Sequence, residues 1–121
     1  MAKILLAEDD LFLQRMYATK LNKEGIEVLA AADGEKALSL LQEQPVDLVL
    51  LDILMPKKDG FEVLEAMKAD PKLKNIPVIM LTNLGEEDDI KRARKLGASD
   101  YMIKAHFLPS EVIAVVNKYL K

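Results

Sequence analysis

The chain has 121 residues, half of them hydrophobic, a formal net charge of only −3, and no cysteine. This length and composition predict one domain over residues 1–121 with a single hydrophobic core. The charge balance argues against electrostatic binding to nucleic acid, and the lack of cysteine excludes a disulfide framework, a thiolate zinc site and a cysteine nucleophile.

The predicted strands are five short runs rich in β-branched residues or leucine. In chain order they are Lys3–Ala7, Glu27–Ala31, Asp47–Leu51, Val78–Leu81 and Asp100–Ile103. The third and fourth runs are apolar almost throughout, as in strands covered on both faces. The first run meets acidic residues too early for a signal peptide, and no apolar run approaches the roughly 18 residues of a membrane span. We expect a soluble, cytoplasmic protein that binds no membrane.

The segments that follow the strands repeat apolar residues at spacings of three and four, which predicts five amphipathic helices. Their apolar positions are Leu13, Met16 and Leu21; Ala37, Leu38 and Leu41; Phe61, Leu64 and Met67; Ile90, Ala93 and Leu96; and Val112, Val115, Val116 and Leu120. Asp10 should cap the first helix, Gly25 and Gly97 should end the first and fourth, and Pro109 should begin the last. The alternation predicts an α/β fold with a doubly wound parallel sheet of five strands, flavodoxin-like order 2-1-3-4-5, and helices on both faces.

Polar residues follow four of the predicted strands. Glu8 and Asp9 follow the first, Asp52 the third, Thr82 the fourth and Lys104 the fifth. Ligands of such sheets bind outside the carboxyl ends of the strands, so we expect these side chains to converge. Clustered carboxylates favour a hard divalent cation such as Mg²⁺. A carboxylate beside such a cation can attack a phosphoryl group, and lysine and threonine can bind its oxygens.

These strand ends resemble the receiver domains of two-component response regulators, and the resemblance covers essentially the whole chain. It rests on the segments Ile4–Asp10, Asp47–Pro56 with Asp59-Gly60, Val78–Thr82 and Gly97–Lys104. The resemblance implies a signalling domain that takes part in a phosphorelay and is not a turnover enzyme.

The resemblance also implies roles in phosphoryl transfer for three residues and a switching role for Tyr101. Asp52 would be the phosphoacceptor, and Thr82 and Lys104 would contact the phosphoryl oxygens. The donor would be a sensor histidine kinase or a phosphotransfer protein. Thr82 and Tyr101 would then act as a switch that changes the face formed by the fourth helix, the fifth strand and the fifth helix.

A metal site and an interaction surface are further implications. Mg²⁺, or Mn²⁺ as an alternative, would bind Asp9, Asp52 and the backbone carbonyl of Leu54, with Glu8 in the outer shell. The switch face would contact a downstream effector protein, and the family also allows a phosphorylation-dependent homodimer. The candidate interface residues are Lys91, Arg94, Asp100 and Glu111.

Two positions depart from the family pattern. Ala105 follows the lysine where proline is usual, and Asn83 follows the threonine where a small residue is usual. A receiver-like module that binds partners without phosphate is therefore an alternative function. A Mg²⁺-dependent phosphohydrolase is a weaker one, because such enzymes usually carry an acid two residues after the nucleophile, where this chain has Leu54. The lone histidine, His106, is interpreted as a solvated loop residue.

Overall fold

The structure is a computed structural model that describes all residues 1–121, and its strands and helices alternate along the chain. The strands are β1 (Lys3–Ala7), β2 (Glu27–Ala31), β3 (Leu48–Leu51), β4 (Val78–Thr82) and β5 (Asp100–Ile103). The helices are α1 (Leu11–Lys23), α2 (Gly34–Glu43), α3 (Gly60–Lys68), α4 (Glu87–Lys95) and α5 (Pro109–Leu120), with a 3₁₀ turn over Lys104–His106. None of the helices combines the length and the hydrophobicity needed to cross a membrane.

The five strands form one parallel sheet in the order β2-β1-β3-β4-β5. The predicted fold class and strand order are therefore confirmed. Two predicted strand limits were wrong by one residue. Asp47 lies just before β3, and its carboxylate accepts a hydrogen bond from the backbone N–H of Lys3 at 2.8 Å. Thr82 belongs to β4 because it pairs with Ile103 of β5.

Each face of the sheet has its own hydrophobic cluster. On one face, buried residues of α2, α3 and α4 pack against the sheet, among them Leu41, Leu64 and Ala93. On the other face, α1 and α5 contribute buried residues such as Leu21 and Val116. Every residue of β3 and β4 is buried, which explains why these strands are apolar instead of alternating.

The helix ends follow the predicted signals. Asp10 caps α1, and its carboxylate accepts a hydrogen bond from the backbone N–H of Leu13 at 3.1 Å. Gly25 and Gly97 follow the ends of α1 and α4 with φ angles of +80° and +101°, a region that glycine enters at little cost. Pro109 opens α5. Because all the strands are parallel, the loops that follow β1, β3, β4 and β5 lie at the same edge of the sheet.

Helix α4 is attached to the rest of the molecule by few contacts. Ala93 is its one buried residue, whereas α3 buries five. The guanidinium of Arg92 lies over the ring of Phe61 in α3, 4.2 Å from the centroid. Such a cation–π contact contributes about 0.5–1 kcal/mol at an exposed site. Most of the surface of α4 is therefore solvated and charged.

Candidate functional site

The register of the central strands brings Glu8 and Asp52 together. Ala7 at the end of β1 pairs with Leu51 at the end of β3, so the residues that follow are neighbours at the same edge. The backbone N–H of Asp52 donates to the carbonyl of Ala7 at 3.0 Å, which extends this pairing by one residue. Both side chains are nearly inaccessible, since Glu8 is 2% and Asp52 is 6% exposed. Two carboxylates are thus held in a buried position at the carboxyl end of the sheet.

Asp9 completes an acidic cluster with these two residues. One carboxylate oxygen from each of Glu8, Asp9 and Asp52 lies within 4.8 Å of the others, and Asp9 is exposed to solvent. The donors are all oxygen, which suits a hard cation that retains part of its water shell. Leu54 lies in the loop after β3, and no backbone N–H bonds to its carbonyl oxygen. The donor set therefore fits Mg²⁺ or Mn²⁺.

Lys104 brings the positive charge to this cluster. Its ammonium nitrogen lies 2.8 Å from Asp52 Oδ2 and also donates a hydrogen bond to the Glu8 carboxylate. Burial raises the pKa of Glu8, although the hydrogen bond from Lys104 opposes this shift. Burial lowers the pKa of Lys104, but the hydrogen bonds to Asp52 and Glu8 outweigh it and leave the pKa raised. The lysine is therefore held in its charged form.

Thr82 and Tyr101 meet at Leu84, in the loop between β4 and α4. The buried hydroxyl oxygen of Thr82 accepts a hydrogen bond from the backbone N–H of Leu84 at 3.3 Å. The Tyr101 hydroxyl donates to the carbonyl of Leu84 at 2.5 Å. Burial raises the pKa of Tyr101 to about 12, with smaller effects from the negative charges of Asp89 and Asp52. The structure thus joins the two predicted switch residues through one loop residue, and their switching role stays a prediction.

The loop after Asp52 is shaped by Gly60, the first residue of α3. Its N–H donates to the carbonyl of Ile53 at 2.8 Å. A Cβ at this position would lie only 2.3 Å from the backbone oxygen of Asp52 and 2.7 Å from the Cα of Ile53. Glycine is therefore required for the close approach of α3 to the backbone of Asp52.

The four predicted interface residues lie apart from the acidic cluster, and three of them have contacts within the chain. Lys91 pairs with Glu87 one turn earlier, at 3.2 Å. The Asp100 carboxylate accepts hydrogen bonds from the Tyr101 backbone N–H and the Tyr119 hydroxyl. The Glu111 carboxylate accepts from the backbone N–H of Leu108 at 2.7 Å, at the start of α5. The fourth residue, Arg94, is exposed on α4. Their interface role stays a prediction.

Two features of the site were not predicted from the sequence. The pairing of Lys104 with Glu8 is one, because Glu8 was expected only in an outer metal shell. The other is a hydrogen bond from the backbone N–H of Ala105 to the side-chain oxygen of Asn83, at 3.2 Å. A signal for the second existed, since these are the two positions that depart from the family pattern.

Comparison with known proteins shows similarity over the whole chain. Residues 4–117 match the response regulator receiver domain family. The transcriptional regulatory protein CpxR of Klebsiella pneumoniae is 43% identical over 121 residues, which is all of this chain and 50% of that protein. The chain spans about half the length of the curated relatives it matches.

Solved structures with the same fold include a chemotaxis protein and a metal-bound response regulator. The chemotaxis protein CheY4 of Vibrio cholerae superposes with a TM-score of 0.92 at 30% identity and covers 99% of both chains. The Mn²⁺-bound form of response regulator Rcp1 has a TM-score of 0.89 at 34% identity, covering 100% of this chain and 96% of that one.

Proposed function

Because the chain belongs to the response regulator receiver domain family, whose members are signalling modules of two-component systems, we propose that it accepts a phosphoryl group on Asp52. One observation carries this proposal. Asp52 is a buried carboxylate with an ammonium group 2.8 Å away and two other carboxylates within 4.8 Å. A sensor histidine kinase or a phosphotransfer protein would be the donor, in the cytoplasm. The domain would act as a signalling acceptor and not as a turnover enzyme.

The residues around Asp52 support an in-line transfer. A carboxylate oxygen of Asp52 forms a bond to phosphorus while the bond between phosphorus and the donor breaks, and the electron pair leaves with the donor. Lys104 is already hydrogen-bonded to Asp52, so its charge can stabilise the phosphoryl oxygens as charge develops there. The Thr82 hydroxyl uses its oxygen as an acceptor, which leaves its hydrogen free to bond a phosphoryl oxygen.

We propose that Mg²⁺, or Mn²⁺ in its place, is held by Asp9, Asp52 and the Leu54 carbonyl. When bound, the cation supplies positive charge that compensates the carboxylates and the phosphoryl oxygens. Glu8 already accepts hydrogen bonds from Lys104 and from the Asp10 backbone N–H, which supports an outer-shell position. The existence of a Mn²⁺-bound form of Rcp1, a relative by fold and sequence, supports the same assignment.

The contacts of Leu84 support a switch on the face formed by α4, β5 and α5. A Thr82 side chain that turns toward a phosphoryl oxygen gives up its hydrogen bond with the Leu84 N–H, and the loop then no longer holds the Leu84 carbonyl in place for Tyr101. Coupling of this kind amounts to about 1–3 kcal/mol, which shifts a population between two states. An effector, or a second copy in a homodimer, would read the change through Lys91, Arg94, Asp100 and Glu111.

Phosphorylation with a small-molecule donor tests the proposal. Acetyl phosphate with Mg²⁺ should add one phosphoryl group, detected by intact mass, and beryllofluoride should shift amide resonances on α4 and β5. Asp52→Asn should abolish both effects, whereas Asp88→Asn, at an exposed position of α4, should leave them unchanged. An unmodified wild-type protein would favour a phosphate-independent binding module. Release of many phosphate molecules per protein would favour a phosphohydrolase.

A further inference from the structure

The hydrogen bond between Asn83 and Ala105 joins the two loops that carry the phosphoryl contacts. Thr82 and Ile103 form the last pair between β4 and β5. Beyond this pair the segments after β4 and β5 no longer pair through their backbones, and the Ala105 N–H donates to the Asn83 side-chain oxygen at 3.2 Å. The asparagine side chain thus continues the connection between the strands after the backbone pairing has ended. Both residues are exposed, so neither belongs to the core.

Because of its position in the chain, this hydrogen bond can hold the backbone beside Thr82 and Lys104 in place. Asn83 directly follows Thr82, and Ala105 directly follows Lys104. Lys104 is therefore fixed by strand pairing on one side and by the Asn83 side chain on the other. A lysine side chain has four rotatable carbon bonds, so the location of its ammonium depends on a well-placed backbone. The ammonium of Lys104 must reach both Asp52 and Glu8.

The donor in this bond exists only because residue 105 is not proline. A proline would have no N–H to offer, and it would restrict the turn through its ring instead. The two departures noted in the sequence are thus the two partners of one hydrogen bond. We propose that Asn83 is a positioning residue for phosphoryl transfer: through Ala105 it fixes the spacing between Thr82 and Lys104. This inference rests on the proposed phosphorylation of Asp52.

Three substitutions at one position separate this role from a steric one. Asn83→Leu keeps the approximate shape and removes the acceptor, Asn83→Ala also opens space, and Asn83→Asp keeps an acceptor oxygen. Asn22→Ala, at an exposed position of α1, is the control. Phosphorylation is followed at increasing acetyl phosphate concentrations, which separates the maximal rate from the half-saturating concentration.

Loss of the acceptor should lower the maximal rate. For Asn83→Leu and Asn83→Ala we expect a decrease of about three- to tenfold, the factor that corresponds to one modest hydrogen bond. Asn83→Asp should keep the maximal rate and raise the half-saturating concentration, because its charge repels an anionic donor. If Asn83 were instead a steric gate, Asn83→Ala would be faster than wild type and Asn83→Leu would match it, and the proposal would be wrong.

A second measurement does not depend on phosphorylation. In nuclear magnetic resonance experiments, the Ala105 amide should exchange faster in Asn83→Leu than in wild type, and the Lys104 side chain should become more mobile. Asn83→Asp should restore both properties. If wild type accepts no phosphoryl group, the proposed function fails and the positioning role in phosphoryl transfer fails with it, even where the Lys104 signal shows that Asn83 holds the lysine in place. If wild type is phosphorylated and Asn83→Leu changes neither rate nor mobility, the positioning role alone is overturned.

Discussion

The ammonium nitrogen of Lys104 lies 2.8 Å from the carboxylate of Asp52, although 52 residues separate the two in the chain. Their strands, β3 and β5, are not neighbours, because β4 lies between them. The lysine therefore reaches across the carboxyl end of β4, and the same ammonium also bonds Glu8. The ammonium group of Lys104 thus compensates two buried carboxylates.

Removal of the ammonium group should destabilise the protein. Lys104→Met leaves Glu8 and Asp52 without their cation, and breaking a buried ion pair in this way costs about 3 kcal/mol. The difference from wild type should shrink as pH falls, because Glu8 has a raised pKa and its protonated form needs no partner. Urea unfolding without divalent metal measures the effect, with Lys118→Met, an exposed position on α5, as the control. Equal midpoints for wild type and Lys104→Met would contradict the prediction.

Divalent metal binding should depend on Asp9. Because Asp9 is the exposed member of the acidic cluster, Asp9→Asn removes one carboxylate without creating a buried cavity. We expect the affinity for Mg²⁺ to fall at least about tenfold, because even the mutation of an outer-shell residue commonly lowers metal affinity by that factor. Isothermal titration calorimetry measures the affinity, and Asp88→Asn is the matched control. An unchanged affinity in Asp9→Asn would exclude Asp9 from the ligand set.

A side chain at position 60 should disturb Asp52 through the backbone. The Cβ of Gly60→Ala would lie 2.3 Å from the Asp52 backbone oxygen, so either α3 or the end of β3 must move. Overpacking of this kind costs about 1–3 kcal/mol. Gly85→Ala offers a comparison, since its Cβ would meet only the side-chain end of Ile103 at 3.1 Å. The unfolding midpoint of Gly60→Ala should be lower than that of Gly85→Ala when the two are measured in parallel. Similar midpoints would argue against the close approach of Gly60 to the Asp52 backbone.

The ionisation of Tyr101 should make the protein less stable at alkaline pH. Its pKa is raised from 10.0 to about 12, first by burial and then by the charges of Asp89 and Asp52. In the unfolded chain the phenol ionises near its ordinary pKa. The stability that this residue contributes is therefore complete below pH 10.0 and is lost as pH rises through about 12.

Spectrophotometric titration of tyrosinate tests this. Tyr101→Phe should lower the amplitude of the step near pH 12 by one tyrosine, and it should also remove the hydrogen bond to the Leu84 carbonyl. Tyr119→Phe serves as the comparison, because the Tyr119 hydroxyl bonds Ser99 and Asp100 at the other end of β5. Burial also raises the pKa of Tyr17 and of Tyr119, so a step near pH 12 that keeps its full amplitude in Tyr101→Phe would assign it to one of these residues and contradict the prediction.

Most of the fold could be predicted from the sequence because its signals are periodic and local. The apolar runs of β3 and β4 indicated strands covered on both faces, and the signals at Asp10 and Gly25 marked the ends of α1. The convergence of Glu8, Asp9 and Asp52 could also be predicted, since it needs only the strand order and the register of β1 with β3.

The contacts made by side-chain ends could not be predicted in this way. Whether Lys104 bonds Asp52 alone or also Glu8 depends on the path of a long side chain, and no sequence period specifies that path. The bond from Ala105 to Asn83 depends on where the chain turns after β5, which is a local property of the 3₁₀ turn. The roles of Asp52, Thr82 and Tyr101 in signalling stay predictions.

Because α4 has only one buried residue, local stability should differ between this helix and the rest of the molecule. With only Ala93 buried and Arg92 resting on Phe61, α4 should open locally at a lower free energy than the whole domain, and its amides should take up deuterium before those of α3. The sheet that holds Asp52 should not share in such an opening, because every residue of β3 is buried. Residues of the proposed phosphorylation site can therefore remain rigid while the surface beside them exchanges between conformations.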